Sequence, residues 1–195
     1  MKTKREKSLS IVSVLLILAW TSFSGNAIYG ATTLVNLQLN AGTITITSPA
    51  SLTFTTPPTV SFQSQLLAEH FSGTGNYFTV NDLKGADEGY STTLQISGNL
   101  TTGGLSIASG NVSFKVNSTT PILMSGAANP RVLIDAASAS YQAMHVARTY
   151  IYRDTALNTG AISQYGQSIF LQVTIPAGQP AGAYVGTLVY TLIEN

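Results

Sequence analysis

The stretch "GYSTTLQISG", residues 89–98, decides the fold. Tyr90, Thr92, Leu94 and Ile96 fall on one parity, and Ser91, Thr93, Gln95 and Ser97 fall on the other. An apolar row opposite a hydroxyl and amide row, repeating every second residue, is the mark of a strand with one face buried. The same period continues on either side. Ile44 and Ile46 share a face in "TITIT", as do Val60 and Phe62 in "TVSFQ" and Phe78 and Val80 in "NYFTVND". Val112, Phe114 and Val116 oppose Ser113 and Lys115. Ile169, Leu171, Val173 and Ile175 alternate with Ser168, Phe170, Gln172 and Thr174.

Turn-forming residues separate these runs: Pro57 and Pro58, residues 73–75, Gly85, Gly103 with Gly104, Asn129 with Pro130, and "PAGQPAG" at 176–182. Many short strands punctuated in this way predict an all-β fold, an antiparallel β-sandwich of Ig-like, Greek-key type. One domain over residues 32–195 is expected. The ambiguous piece is "ASASYQAMHVARTYIY", 137–152. It is Ala-rich first and then β-branched and aromatic, which predicts a turn of helix near 136–140 followed by a long strand or bent hairpin arm.

The chain closes on "AGAYVGTLVYTLIEN", 181–195. Tyr184, Leu188, Tyr190 and Leu192 lie on one side, with Val185, Thr187, Val189, Thr191 and Ile193 on the other. The tight connection at 176–182 predicts a C-terminal hairpin between a 169–175 strand and a 184–193 strand.

The front end sets the compartment. Lys2, Lys4, Arg5 and Lys7 precede an apolar run at 11–20, and small residues Ser22, Ser24, Gly25 and Ala27 follow. This three-part layout predicts a secretory signal peptide over 1–27, cut after Ala27. The run is short for a membrane span of about 20 residues, and an uncleaved anchor is the alternative. Localisation at the cell surface or outside the cell is therefore expected, with no membrane span after cleavage. Removal of 1–27 leaves five bases and seven acids, near −2. That balance offers no clustered basic face for nucleic acid and no polybasic membrane patch. The exported chain has no Cys, so its stability must come from packing rather than disulfides.

A catalytic centre is hard to assemble from these residues. His70, beside Glu69, and His145 are the two imidazoles, and no G-x-S-x-G elbow occurs. No catalytic residue, metal site or cofactor is expected, and the chain reads as a non-enzyme. The densest acids, Asp82, Asp87 and Glu88, could offer oxygens to Ca²⁺, but Lys84 sits among them and the spacing is not that of an EF-hand. The alternative is a loop in which Asp82 makes a local turn bond. Sequons at Asn99, Asn111 and Asn117 are glycan acceptors only in a eukaryotic secretory route.

Two segments carry a family resemblance. The first is "FTVNDLKGADEGYSTTLQISGNL", 78–100, and the second is "LQVTIPAGQPAGAYVGTLVYTLIEN", 171–195. Together they resemble WxL domains of bacterial surface proteins, with Tyr standing for Trp in both motifs. Tyr90 takes the place of the first Trp, with Leu94 two positions beyond Thr92, which stands where the first motif has Leu. Tyr184 follows the Pro-Ala-Gly turn. Tyr190 and Leu192 take the places of the second Trp and Leu. The opening "LQLNAGTITITSPASLTF", 37–54, is also similar to that family's first strands. The resemblance implies noncovalent attachment to cell-wall peptidoglycan or to other surface proteins. The competing reading is a subunit of a surface fibre, pilus or coat. Such a homo-oligomer would assemble by β-strand addition, with 32–42 as the donated segment.

Overall fold

The computed structural model describes Gln38 and residues 42–195, apart from 57, 74, 86–87 and 156–160. The chain divides into two compact units, Met1–Leu39 and Asn40–Asn195. The signal-peptide expectation for 1–27 and residues 32–37 of the expected domain lie outside the described residues. Every strand and turn of the described structure from residue 42 onward belongs to the second unit.

The fold is all-β. Its strands are β1 (Ile44–Thr47), β2 (Gln65–Phe71), β3 (Phe78–Asp82), β4 (Tyr90–Ile96), β5 (Leu100–Thr102), β6 (Leu105–Ile107) and β7 (Val112–Val116). They continue with β8 (Ile122–Gly126), β9 (Val132–Ile134), β10 (Gln142–Ala143), β11 (Arg148–Arg153), β12 (Ser163–Gln167), β13 (Ile169–Ile175) and β14 (Leu188–Glu194). Among the described residues the helical elements are two 3₁₀ turns, Ser109–Asn111 and Ala136–Ala139, and no helix is long and apolar enough to cross a membrane.

Four antiparallel sheets result. Sheet A runs β1-β3-β12-β8, sheet B runs β10-β7-β13-β2, sheet C runs β14-β4-β11-β9, and β5-β6 form a hairpin. Sheets A and B continue one another. Strands β12 and β13 are one ribbon interrupted only at Ser168. On one side β2 and β3 follow it, with Phe71 opposite Ile169 and Phe78 opposite Gln167. On the other side β7 and β8 follow it, with Val116 opposite Ile169 and Ile122 opposite Gly166. All three ribbons break at one level, after Phe71 and before Phe78, at 117–121 and at Ser168.

The buried side chain of Gln167 stitches that level. Its Nε2 donates to the carbonyls of Ser118 (3.0 Å) and Thr120 (3.3 Å), and its Oε1 accepts from the Ser168 amide (3.0 Å). The main-chain groups freed by the break thus find partners, as buried polar groups must.

The three larger sheets share one apolar core. The buried parity of β4 contributes Tyr90, Leu94 and Ile96, and that of β7 contributes Val112, Phe114 and Val116. Tyr150 of β11 sits where they meet. Its ring meets Phe78 of sheet A (6.0 Å), Phe114 of sheet B (6.0 Å) and Tyr190 of sheet C (6.2 Å) in edge-on geometry. Its hydroxyl donates to the Gln167 carbonyl at 2.8 Å. Edge-to-face rings add roughly 0.5–1.5 kcal/mol each beyond their buried area.

Three expectations are corrected. The C-terminal strand does not form a hairpin with β13: residues 176–187 carry the chain across to sheet C, where β14 pairs β4 in full register from Leu188↔Ile96 to Glu194↔Tyr90. The strand also begins at Leu188 rather than Tyr184. Before it, Val185 bridges Thr101, and Gly186 passes so close to Leu100 that a Cβ there would lie 2.5 Å from a side-chain carbon. Val60 and Phe62 belong to no strand and stand exposed, because two alternating apolars flanked by prolines give a strand nothing to pair with. The 137–152 piece matches the 3₁₀ turn, but it then divides between sheet B (β10) and sheet C (β11) instead of forming one arm.

Candidate functional site

The residues carried over from the resemblance meet in sheet C, with one exception. Tyr190 lies directly opposite Leu94, Leu192 opposite Thr92, and Tyr90 opposite Glu194. Tyr90 and Leu94 are fully buried, and Tyr190 and Leu192 pack on the same core. Burial holds the phenols of Tyr90, Tyr150 and Tyr190 protonated to well above the ordinary tyrosine range, and at Tyr90 the Asp82 charge adds to it. These rings serve the packing of the core. Tyr184 lies apart, its hydroxyl donating to the Pro180 carbonyl (2.9 Å) and accepting from Gln179 Nε2 (2.7 Å).

Thr92, where the motif would have Leu, has its own task. Its Oγ1 accepts from the Ile151 amide (3.0 Å) and donates to the Ile151 carbonyl (2.9 Å). The β4–β11 ladder shifts register between Thr149 and Tyr152, and this hydroxyl supplies the bonds that the bulge removes.

The opposite parity makes the outer face of sheet C. Thr93 lies between Thr191 of β14 and Thr149 of β11, Ser91 lies between Ile193 and Tyr152, and Gln95 lies beside Val189. These positions carry hydroxyls, an amide, aliphatic carbon and one phenol ring, and no charge. At one end the face dips into a hollow of about 500 Å³ whose lining includes Ser91, Thr149 and Tyr152 with the charged Asp135, Arg153 and Asp154. Asp154 pairs with Arg131 at 3.2 Å, and Asp135 Oδ1 accepts from the Ala137 amide at 3.1 Å. Each carboxylate keeps acceptor capacity, since an ionised carboxylate has about four lone-pair sites. A ring face flanked by hydroxyls and carboxylates suits a polyhydroxylated ligand: hydroxyls donate to the carboxylates while carbon faces cover the phenol.

The acidic loop is occupied from within. Asp82 is buried and ion-paired with Arg153, which also bonds the Glu88 carbonyl and lies 5.4 Å from the Tyr90 ring centre. Asp82 Oδ1 accepts from the Lys84 amide at 3.1 Å, the local turn bond expected from sequence, although the residue is buried rather than solvated. Glu88 bonds Lys84 Nζ at 2.8 Å, which holds its carboxyl below the usual range, and Lys84 also reaches Glu194. Asp87 lies outside the described residues. No group of three or more His, Cys, Asp or Glu able to hold a metal ion occurs among the described residues.

His70 Nε2 lies 2.9 Å from Ser168 Oγ, and its ring stacks on Phe170 at 4.0 Å. Its sequence neighbour Glu69 points to the other face of β2, where it accepts from the Thr55 amide (2.8 Å) and hydroxyl (3.0 Å). His145 sits in the exposed turn before β11. Sequence reasoning passed over Tyr152, Thr149, Asp135 and Asp154. Tyr152 shares its parity with the buried Tyr150, so alternation alone would place it in the core; the shift in β11 between Thr149 and Tyr152 and the β4–β11 pairing set it beside Ser91.

No protein-family model, no curated protein and no solved structure matches this chain.

Proposed function

We propose that this chain is a non-enzymatic cell-surface module, similar to WxL domains, that holds noncovalently to cell-wall glycan through the outer face of sheet C. The observation that carries the reading is the row of hydroxyl, amide and aliphatic positions on the outer face of sheet C, ending in the Tyr152 hollow with Asp135 and Asp154. Glycan strands present hydroxyls, amides and carbon faces, and this surface offers a counterpart for each. In the same reading residues 1–27 are a cleaved export signal. Sheets A and B form one layer and sheet C the other layer of an Ig-like sandwich. The carried-over Tyr90, Leu94, Tyr190 and Leu192 support the wall face by packing beneath it.

Sedimentation with purified peptidoglycan tests this. The chain is expected in the pellet and is released by chaotrope, and Tyr152→Ala lowers the bound fraction about tenfold, near 1.4 kcal/mol, with an unchanged melting temperature. Protein that stays in the supernatant, or a variant that pellets like the parent, overturns it.

A second reading, a fibre or coat subunit, is supported by β8. This strand is an edge of sheet A, every residue of it is exposed, and Ile122, Leu123 and Met124 stand side by side on it. An unguarded apolar edge invites a strand from a neighbouring copy. Concentration-dependent oligomers by sedimentation velocity, abolished by Leu123→Lys, would favour it. A monomer throughout would remove it.

A further inference from the structure

A cleft of about 910 Å³ lies between sheet B and the 180–188 segment that leads into sheet C. Residues 48–56 and 58–61 strap across it. The strap is tied at Thr55 to Glu69, and at Ser61, whose carbonyl accepts from the Gly178 amide at 2.8 Å. The floor is apolar, built from Leu67, Ile107, Val112, Met144, Val173 and Leu188, and no charged residue lines the cleft anywhere. Phe62 (94% exposed), Val185 (69%), Leu66 (63%) and Val60 (59%) are the four most exposed large apolar side chains among the described residues. Val60 and Val185 line the cleft and Phe62 adjoins the lining residue Ser61, whereas Leu66, between Gln65 and Leu67 on β2, points to the opposite face. Scattered single apolars on a surface are ordinary, but a cluster at the mouth of an apolar cavity marks a binding surface.

We propose that this cleft binds the hydrocarbon chain of a neutral lipid. Its size lies toward the upper part of the roughly 300–1,000 Å³ of ligand pockets. Two observations choose a lipid chain over a peptide. The lining has no charge to meet a headgroup or a charged side chain. An extended peptide would also bring an amide and a carbonyl with every residue, and although Ser48, Ser51, Thr53, Thr59, Gln65 and Thr187 belong to the lining, the floor offers those groups only hydrocarbon. Gln179 Nε2 donates to the Ser106 carbonyl (3.3 Å) and to Tyr184 Oη (2.7 Å), which itself donates to the Pro180 carbonyl. A peptide would leave its own groups unpaired at roughly 1–3 kcal/mol each, whereas a methylene chain has none. The inference does not depend on glycan binding, which uses the outer face of sheet C.

The test uses the neutral apolar fluorophore N-phenyl-1-naphthylamine with the purified chain. The expected result is saturable binding of one probe per chain, displaced by hexadecanol. Val185→Asp and Ala183→Trp each weaken it about tenfold or more, near 1.4 kcal/mol or above. Both side chains are exposed, and Val185 is held by its main chain to Thr101 (2.9 and 3.0 Å), so the melting temperature stays unchanged. Should a variant fail to fold, displacement from the parent chain by hexadecanol decides alone. Absence of saturable binding, parent-like affinity in folded variants, or displacement by an uncharged apolar octapeptide but not by hexadecanol would each overturn the proposal, the last in favour of a protein partner.

Discussion

Thr92 shows how a single hydroxyl can settle a strand's geometry. A β-branched side chain suits the pleat of β4, and its parity places it in the core, where a polar atom must find partners. It finds both on Ile151, at 2.9 and 3.0 Å, and the bulge in β11 follows. Thr92→Val keeps the shape and removes both bonds. Urea unfolding is expected to show a loss of about 1–3 kcal/mol, from the Ile151 groups left buried without partners. Asp82 is the ionic counterpart. Its pair with Arg153 lies 71 residues away in sequence and is almost wholly buried. Asp82→Ala takes the carboxylate away from a buried guanidinium, and a loss of about 3–5 kcal/mol is expected in the same measurement. The inward parity of Thr92 was legible in the sequence. Neither of the two partners was, because parity fixes a face and says nothing of which residue waits on the other side.

Among elements, the strands with long matched alternation, β4, β7 and β13, were legible because a period of two sustained that far fits no helix or turn. Val60 and Phe62 alternate over three residues only, and the prolines beside them leave that stretch to bridge sheets instead. Pairing was less legible than existence. The 176–182 turn is compact enough for a hairpin, yet β14 joins β4, where Tyr190 and Leu192 can pack on the shared core and the Tyr190 ring meets Phe78 and Tyr150. The A–B ribbon has the same character: its shared break is visible only once three registers are compared. Gln167 holds that break, so Gln167→Met should cost about 1–3 kcal/mol by orphaning the Ser118 and Thr120 carbonyls and the Ser168 amide. Hydrogen exchange should locate the loss, with faster exchange at 117–120 and 168 and unchanged protection in β4 and β14. Equal loosening everywhere would deny the stitch.

At the scale of the whole molecule, buried phenols give the fold an alkaline limit. Burial raises the folded-state pKa of Tyr90, Tyr150 and Tyr190 above the unfolded value of about 10. Their contribution is therefore complete below about pH 10 and is lost as pH rises beyond it, because the unfolded chain ionises first. Phenolate absorbance against pH should show exposed phenols titrating first and these three appearing only with cooperative unfolding. The all-β class of the described residues was legible in the alternation. The candidate face was not, because its parts come from β4, β11, β14 and the 3₁₀ turn near Asp135, and the rings that carry the resemblance lie beneath it rather than on it. The most direct test of glycan contact there is amide chemical-shift mapping while soluble peptidoglycan fragments are titrated in. The account predicts saturating shifts confined to Ser91, Thr93, Thr149, Tyr152, Thr191 and their neighbours. Shifts elsewhere on the molecule with this face unmoved, or none at all, would contradict it.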